Sequence, residues 1–185
     1  MALKKKFNEI ELPLFNEVSF LLGEKEDLVK KTIKLDVSKK LKGKSAEIVF
    51  FIRELEGKFI GIPKRITVFK NYIVRLIRNK TSYVEDSFEV QCKDVVAKIK
   101  PFLVTRKKVS RALRKALREK IKELIIEKFK EMTFYEIIEA IIREDIQKEI
   151  AKKIKKIYPP LAFEIREIET KEKEKVIFEN KNKGE

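Results

Sequence analysis

V-V-A-K-I-K-P-F-L-V-T-R-K-K-V-S-R-A-L-R-K-A-L-R, residues Val95–Arg118, changes its period midway. Up to Val104 the apolar residues Val96, Ile99, Phe102 and Val104 follow an imperfect alternation that reads as a strand. From Val109 they move to helical spacing: Val109, Leu113, Leu117, then Ile121, Leu124 and Ile125. Thr105–Arg118 carries seven basic residues (Arg106, Lys107, Lys108, Arg111, Arg114, Lys115, Arg118) and no acidic one. Arg111, Arg114, Lys115 and Arg118 fall at i, i+3, i+4 and i+7, which gathers them on one stripe. The segment predicts a cationic loop feeding a helix with one face in a core and another bare and positive. That arrangement suits a polyanion held by its phosphates.

Before this switch the chain reads mainly as strands. Lys5–Leu12 is a short candidate, and Asn16–Leu22 reads as strand or turn. Thr32–Val37 alternates, with Ile33, Leu35 and Val37 against Lys34 and Asp36. Ala46–Leu55 is apolar through its centre, and Glu56-Gly57 signals a hairpin returning along Lys58–Ile62. Pro63 argues against a central strand there. Over Ile66–Asn79 the period becomes helical, with Tyr72, Ile73, Leu76 and Ile77 on one stripe and Asn71, Arg75 and Arg78 opposite. Ser82–Val90 and Val95–Val104 form a second strand pair, with Val84, Phe88, Val90 and Cys92 as the inward set.

After the switch the chain is mostly helical. One long helix runs from about Val109 to Glu131. Thr133-Phe134-Tyr135-Glu136 is a capping box opening a second helix, with Phe134, Ile137, Ile138 and Ile141 inward. A third, Asp145–Ile157, carries Ile146, Ile150, Ile154 and Ile157. Pro159-Pro160 stops it, and Phe163, Ile165 and Ile168 predict a last strand. The expected class is α+β. Residues 1–104 form a mainly β lobe with one short helix, 105–169 a helical lobe with a final strand, and 170–185 a charged, mobile tail.

The 185 residues carry 45 basic and 30 acidic groups, a net charge of +15. Residues 1–60 contribute 13 − 10 = +3, residues 61–120 contribute 17 − 5 = +12, and residues 121–185 contribute 15 − 15 = 0. A surface laced with ion pairs accounts for the balanced last third. It does not account for the central block, where unpaired cations repel and an anionic partner is called for. With a single Cys92 there is no disulfide framework. No apolar run approaches the roughly 20 residues of a membrane span, and the N-terminus lacks the apolar core of a signal peptide. The expectation is a soluble, intracellular protein without membrane contact.

Much chemistry is missing. There is no histidine, and the five glycines are dispersed and form no phosphate loop. The acidic pairs Glu85-Asp86 and Glu144-Asp145 read as solvated turn and helix-start charges, with no common metal site. No catalytic residue, metal or cofactor is expected.

Three basic groups remain. The strongest is Arg106, Lys107, Lys108, Arg111, Arg114, Lys115 and Arg118. An exposed amphipathic helix usually alternates signs, yet no acid appears here until Glu119. The second is Arg75, Arg78 and Lys80 with Asn71, which could also answer a helix dipole. The third is Lys152, Lys153, Lys155 and Lys156, with Glu144, Asp145 and Glu149 nearby. Arginine forks suit phosphates, and the scarcity of nearby aromatics favours backbone and shape recognition over base stacking.

F-K-N-Y-I-V-R-L-I-R-N-K-T-S (Phe69–Ser82), L-V-T-R-K-K-V-S-R-A-L-R-K-A-L-R (Leu103–Arg118), M-T-F-Y-E-I-I (Met132–Ile138) and A-K-K-I-K-K-I-Y-P (Ala151–Pro159) occur in this order. Together they resemble the small-subunit ribosomal protein family shared by archaea and eukaryotes, called eS-one or S-three-A-e, over roughly Val29–Ile168. The resemblance implies a β-barrel lobe followed by a helix-rich α+β lobe, and a place on the small-subunit platform near the mRNA exit. It implies rRNA contacts at Arg75, Arg78, Lys80, Arg106, Lys107, Lys108, Arg111, Arg114, Lys115 and Arg118; Lys155 and Lys156 are further candidates from the third basic group by charge alone. Implied partners are small-subunit rRNA, neighbouring platform proteins and mRNA near its exit, in the cytoplasm. The segment Lys4–Gly23 departs from the family pattern in lacking Trp and in having only the terminal Gly23. Three other readings stay open at this point: a free-standing RNA or DNA binder, an enzyme acting on nucleic acid, and a protein scaffold using the mixed-charge helices after Glu119.

Overall fold

The computed structural model describes residues 6–23, 28–29, 31–39, 41, 43–55 and 57–170. The tail expected from 170 onward lies outside them after Thr170. The strands are β1 (Lys6–Leu12), β2 (Glu17–Gly23), β3 (Thr32–Asp36), β4 (Ala46–Leu55), β5 (Lys58–Val68), β6 (Tyr83–Glu85), β7 (Phe88–Gln91), β8 (Val96–Thr105) and β9 (Pro160–Thr170). The helices are α1 (Lys70–Leu76), α2 (Arg111–Lys130), α3 (Phe134–Ile142) and α4 (Asp145–Ile154). The chain is α+β, with one mixed nine-stranded sheet.

The main path of that sheet is β2-β1-β5-β9-β8-β6. β4 covers the other edge of β5 and carries β3, while β7 shares with β6 the outer edge of β8. All ladders are antiparallel except β1 on β5. No backbone pairing among the described residues closes the strands into a ring. β9, reached only after the helices, lies between β5 and β8 and joins them. One buried cluster accordingly runs from Ile10 through Phe50, Phe102, Phe129 and Phe134 to Ile168.

β5 runs straight through Pro63, against the expectation that proline would break it there. Its N-terminal part pairs with β1 at Phe59 and Ile60, and its C-terminal part pairs with β9 at Arg65–Thr67. Pro63 falls in the gap between them, beside a bulge that slips the β4 register between Val49 and Phe50. A residue without an N–H costs little at such a place. Pro101 follows the same logic, in the gap between β7 and β6 on β8 and beside a register slip toward β9. Strand β5 also extends to Val68, so the helical reading of Ile66–Val68 was wrong and α1 is only seven residues long. The ambiguous Asn16–Leu22 segment is strand β2, shifted by one residue. Ser82–Val90 divides into two short strands, β6 and β7.

Two glycines have local reasons. Gly57 closes the β4–β5 hairpin at φ 78°, where an L side chain is strained. A Cβ on Gly61 would meet Leu12 Cδ2 well inside van der Waals contact, so glycine is what lets β1 lie close on β5.

In the helical part the capping box is complete. Glu136 Oε2 accepts from the Thr133 N–H at 2.9 Å, and Thr133 Oγ1 accepts from the Glu136 N–H at 3.4 Å. Asp94 Oδ1 accepts from the Phe134 N–H at 2.9 Å, which docks the β7–β8 turn on the start of α3. Phe134, Ile137, Ile138 and Ile141 are buried as expected. Helix α4 ends at Ile154, so Ile157 falls in a turn and is exposed rather than inward.

Candidate nucleic-acid interface

Three segments of chain meet at Thr105, the last residue of β8. On one side Tyr83 pairs with Val104, and the Thr105 N–H donates to Ser82 O at 2.8 Å. On the other side Thr105 pairs with Pro160. Thr105 is fully buried, and its Oγ1 accepts from the Ser82 N–H at 3.0 Å. The single hydroxyl hydrogen is shared between Ser82 O at 2.8 Å and Lys107 O at 2.7 Å. Ser82 Oγ in turn accepts from the Val109 N–H at 3.2 Å. This clamp bends Arg106–Lys108 into a short arch with its side chains exposed.

The clamp brings the three basic groups to one end of the sheet. Lys80 is two residues from Ser82, so their Cα atoms lie within about 8 Å. Lys156 is four residues from Pro160, a reach of at most about 15 Å. Arg78, Lys80, Arg106, Lys107, Lys108, Arg111, Arg118, Lys155 and Lys156 are exposed, and none has an ion pair among the described residues. Lys115 is exposed with Glu119 at 3.8 Å, an ion pair worth little in water. Arg114 is half-buried, and its Nε finds no hydrogen-bond acceptor. The third group divides: Lys153 pairs with Glu149 at 3.1 Å, and Lys128 holds the same carboxylate at 2.9 Å. Hydrogen bonds from Lys128 and Lys153 hold that carboxyl below the usual range.

Helix α2 sharpens the electrostatics. Ser110 caps it, with Oγ accepting from the Leu113 N–H at 3.3 Å, while Leu117, Ile121, Leu124, Ile125 and Phe129 are buried along its core face. Its first turn holds no acid. Arg111 and Arg114 therefore stand at the positive end of a 20-residue helix, where cations are disfavoured. The helix dipole, the arch and the arginine stripe all add to one positive field, and a bound anion would relieve it.

Helix α1 presents the second group. Tyr72, Ile73 and Leu76 pack inward, while Arg75 is exposed with its Nε donating to Asn71 O at 3.2 Å. Thr81 Oγ1 accepts from the Arg78 N–H at 3.1 Å and donates to Arg78 O at 2.8 Å, so Arg78–Thr81 is a tight turn leading into Ser82. What lies beside α1 was not foreseen. Lys44 Nζ lies 2.7 Å from Glu144 Oε1 and 2.8 Å from Glu164 Oε1, and both carboxylates act electrostatically on the Tyr72 hydroxyl of α1, whose pKa is raised first by burial and then by Glu164. Burial pushes the Glu164 carboxyl up more than Lys44 pulls it down. Burial also works against the Lys44 charge, but the two carboxylates outweigh it and raise its pKa. The reading of Glu144 as a solvated charge is thereby corrected: it starts α4, but only 17% of its side chain is exposed. Glu85 does lie at the surface, with Arg166 at 3.3 Å.

Lysine and arginine runs marked the basic groups in the sequence, whereas Ser82 and Thr105 carried no signal beyond standing beside such runs. Among the described residues no cluster of three or more His, Cys, Asp or Glu is placed to hold a metal. No described helix is long and apolar enough to cross a membrane.

The Ribosomal S3Ae family model matches residues 21–174. The small ribosomal subunit protein eS1 of Nanoarchaeum equitans (strain Kin4-M) is 27% identical over 197 residues, spanning 96% of this chain and 98% of that protein. The match takes in all three basic groups and the Ser82–Thr105 clamp that joins them, and with it the chain belongs to the Ribosomal S3Ae family of ribosomal proteins.

Proposed function

We propose that this chain is a structural constituent of the small ribosomal subunit that grips rRNA phosphates with the surface around Thr105, on the platform near the mRNA exit. The observation that carries the reading is the convergence of Lys80, Arg106–Arg118 and Lys155–Lys156 at the end of β8, next to the positive end of α2. Exposed cations that, Lys115 apart, have no ion pair among the described residues are poised to displace the counter-ions condensed on a nucleic-acid backbone. Arg75 and Arg78 on and after α1 extend the contact, and Arg114 lends its guanidinium from a half-buried seat. Neighbouring platform proteins and mRNA near its exit are the further partners of this reading, and the cytoplasm its compartment. The family resemblance alone supports the platform location, as it does a barrel-like first lobe over residues 1–104 and a helical one over 105–169. The role is scaffolding: the surface offers charge and shape and assembles no reacting group.

The test uses three exposed positions, so that folding is spared. Lys107→Gln, Lys108→Gln and Arg111→Gln together should lower the slope of log affinity for rRNA against log salt by about 2–3, near 0.7–0.9 for each phosphate no longer neutralised. Co-sedimentation with small subunits should fall while circular dichroism stays native. An unchanged slope with unchanged co-sedimentation refutes the assignment. Salt-dependent RNA binding by a chain that never tracks the small subunit in lysate would instead favour a free-standing binder.

A further inference from the structure

The β1–β2 hairpin has an outer face with no partner among the described residues. Its register sets Phe7 opposite Leu22, Glu9 opposite Phe20 and Glu11 opposite Val18. Phe7, Phe20, Val18 and Leu22 are 73%, 59%, 52% and 46% exposed. Taking about 200 Å² for a phenylalanine, they leave on the order of 400 Å² of apolar surface in water, the size of patch that marks an interaction site. Among the described residues β1 pairs with β5 only at Ile10 and Glu11, so the end holding Phe7, Phe20 and Leu22 extends beyond that ladder. Among the described residues β2 pairs only with β1, which leaves its outer edge of N–H and C=O groups open.

Charge selects the occupant. The hairpin Lys6–Gly23 holds Glu9, Glu11 and Glu17 against Lys6, 1 − 3 = −2, in a chain of +15. Lys58 answers Glu11 at 2.9 Å, but no cation from the Arg106–Arg118 block is part of this hairpin. An acidic, apolar ribbon repels RNA and, by like charge, a second copy of itself. It suits a protein segment that carries cations, as a protein held on rRNA must.

We propose that β2 takes up an extended segment of another small-subunit protein as an added strand. Alternate apolar side chains of that segment cover Phe20 and Leu22 on the outer face, where Glu9 stands opposite Phe20, and its Lys or Arg residues answer the net negative charge of the hairpin. The inference rests on the ribosomal reading above and gives the protein two opposed faces, one for RNA and one for protein.

The experiment places the photo-reactive residue p-benzoylphenylalanine at position 20 in the full chain, purifies small subunits and irradiates them. The expected product is a cross-link to one ribosomal protein, within a net-positive stretch of alternating apolar residues. Val18→Asp with Leu22→Asp, both exposed and outside the core, should cut that yield at least tenfold while the chain still sediments with the subunit. Cross-linking to rRNA, to a second copy or to this chain itself, or no cross-link in subunits that contain the chain, overturns the docking and leaves rRNA binding standing. A chain absent from the small-subunit fraction overturns the ribosomal reading, and this docking with it.

Discussion

Replacing Lys44 by methionine keeps most of the side chain's length and removes the one ammonium that Glu144 and Glu164 share, at 2.7 and 2.8 Å. Glu164 is left with only 9% of its side chain exposed and no ion-pair partner among the described residues. Stripping one partner from a buried pair costs about 3–5 kcal/mol, because the surviving charge stays desolvated. Lys44 and Glu144 still reach some water, at 18% and 17% exposure, so the expected loss lies near the lower end, about 3 kcal/mol at pH 7. For a chain of this length that lowers the Tm by roughly 6–12 °C. The loss should also depend on pH. The folded Glu164 carboxyl has its pKa raised by burial, so the native state binds the extra proton and is favoured as pH falls toward the unfolded value. Without Lys44 that pKa rises further, so the penalty at pH 5 should be smaller than at pH 7. Urea unfolding followed by circular dichroism at both pH values measures this, and adding Glu164→Gln should recover about 1 kcal/mol or more. A loss under about 1 kcal/mol at pH 7, or one indifferent to pH, would refute the view that this cluster holds α1 and the start of α4 together.

Two further outcomes test the clamp and the core. Thr105→Val keeps the shape but leaves the Ser82 N–H and Lys107 C=O without their partner, which should cost about 1–3 kcal/mol. Amide exchange at Val109 should quicken and RNA affinity drop with the fold intact; an unchanged exchange rate and affinity would remove Thr105 from the site. Burial first, and the Asp94 charge second, push the Cys92 thiol up to about 12, so at pH 8 roughly one molecule in ten thousand carries a thiolate. Labelling by a thiol reagent should therefore be on the order of a thousandfold slower in the native protein than in urea, and rapid native labelling would contradict the burial of this strand end.

Local grammar carried much of the architecture. Thr133 and Glu136 announced a helix start because both halves of a capping box lie within four residues. Phe134, Ile137, Ile138 and Ile141 reported their own burial through spacing. Local patterns misled where a residue's meaning depended on a distant strand. Pro63 looked like a breaker because the gap between β1 and β9, which makes its missing N–H harmless, is invisible along the chain. Ile66–Val68 fitted a helical stripe, yet pairing with β4 and β9 overrode the local period. Glu144 looked solvated because its partner lies one hundred residues earlier in the chain.

By itself the sequence determined the α+β class, the burial of the long helix's apolar stripe and the stock of cations left over for a partner. Each of these depends on residues within a few turns of one another. Only the tertiary structure decided that Ser82, Thr105 and Pro160, each near a basic run, meet at one end of the sheet. That follows from Ser82 bonding Thr105 across 23 residues and Pro160 pairing with Thr105 across 55, contacts set by the register of β6 and β9 on β8. It also decided that Phe7, Val18, Phe20 and Leu22 of the acidic hairpin would stand exposed, with no strand beyond β2 among the described residues. Hydrogen-bond register and burial are properties of the assembled sheet, and a short stretch of sequence does not carry them.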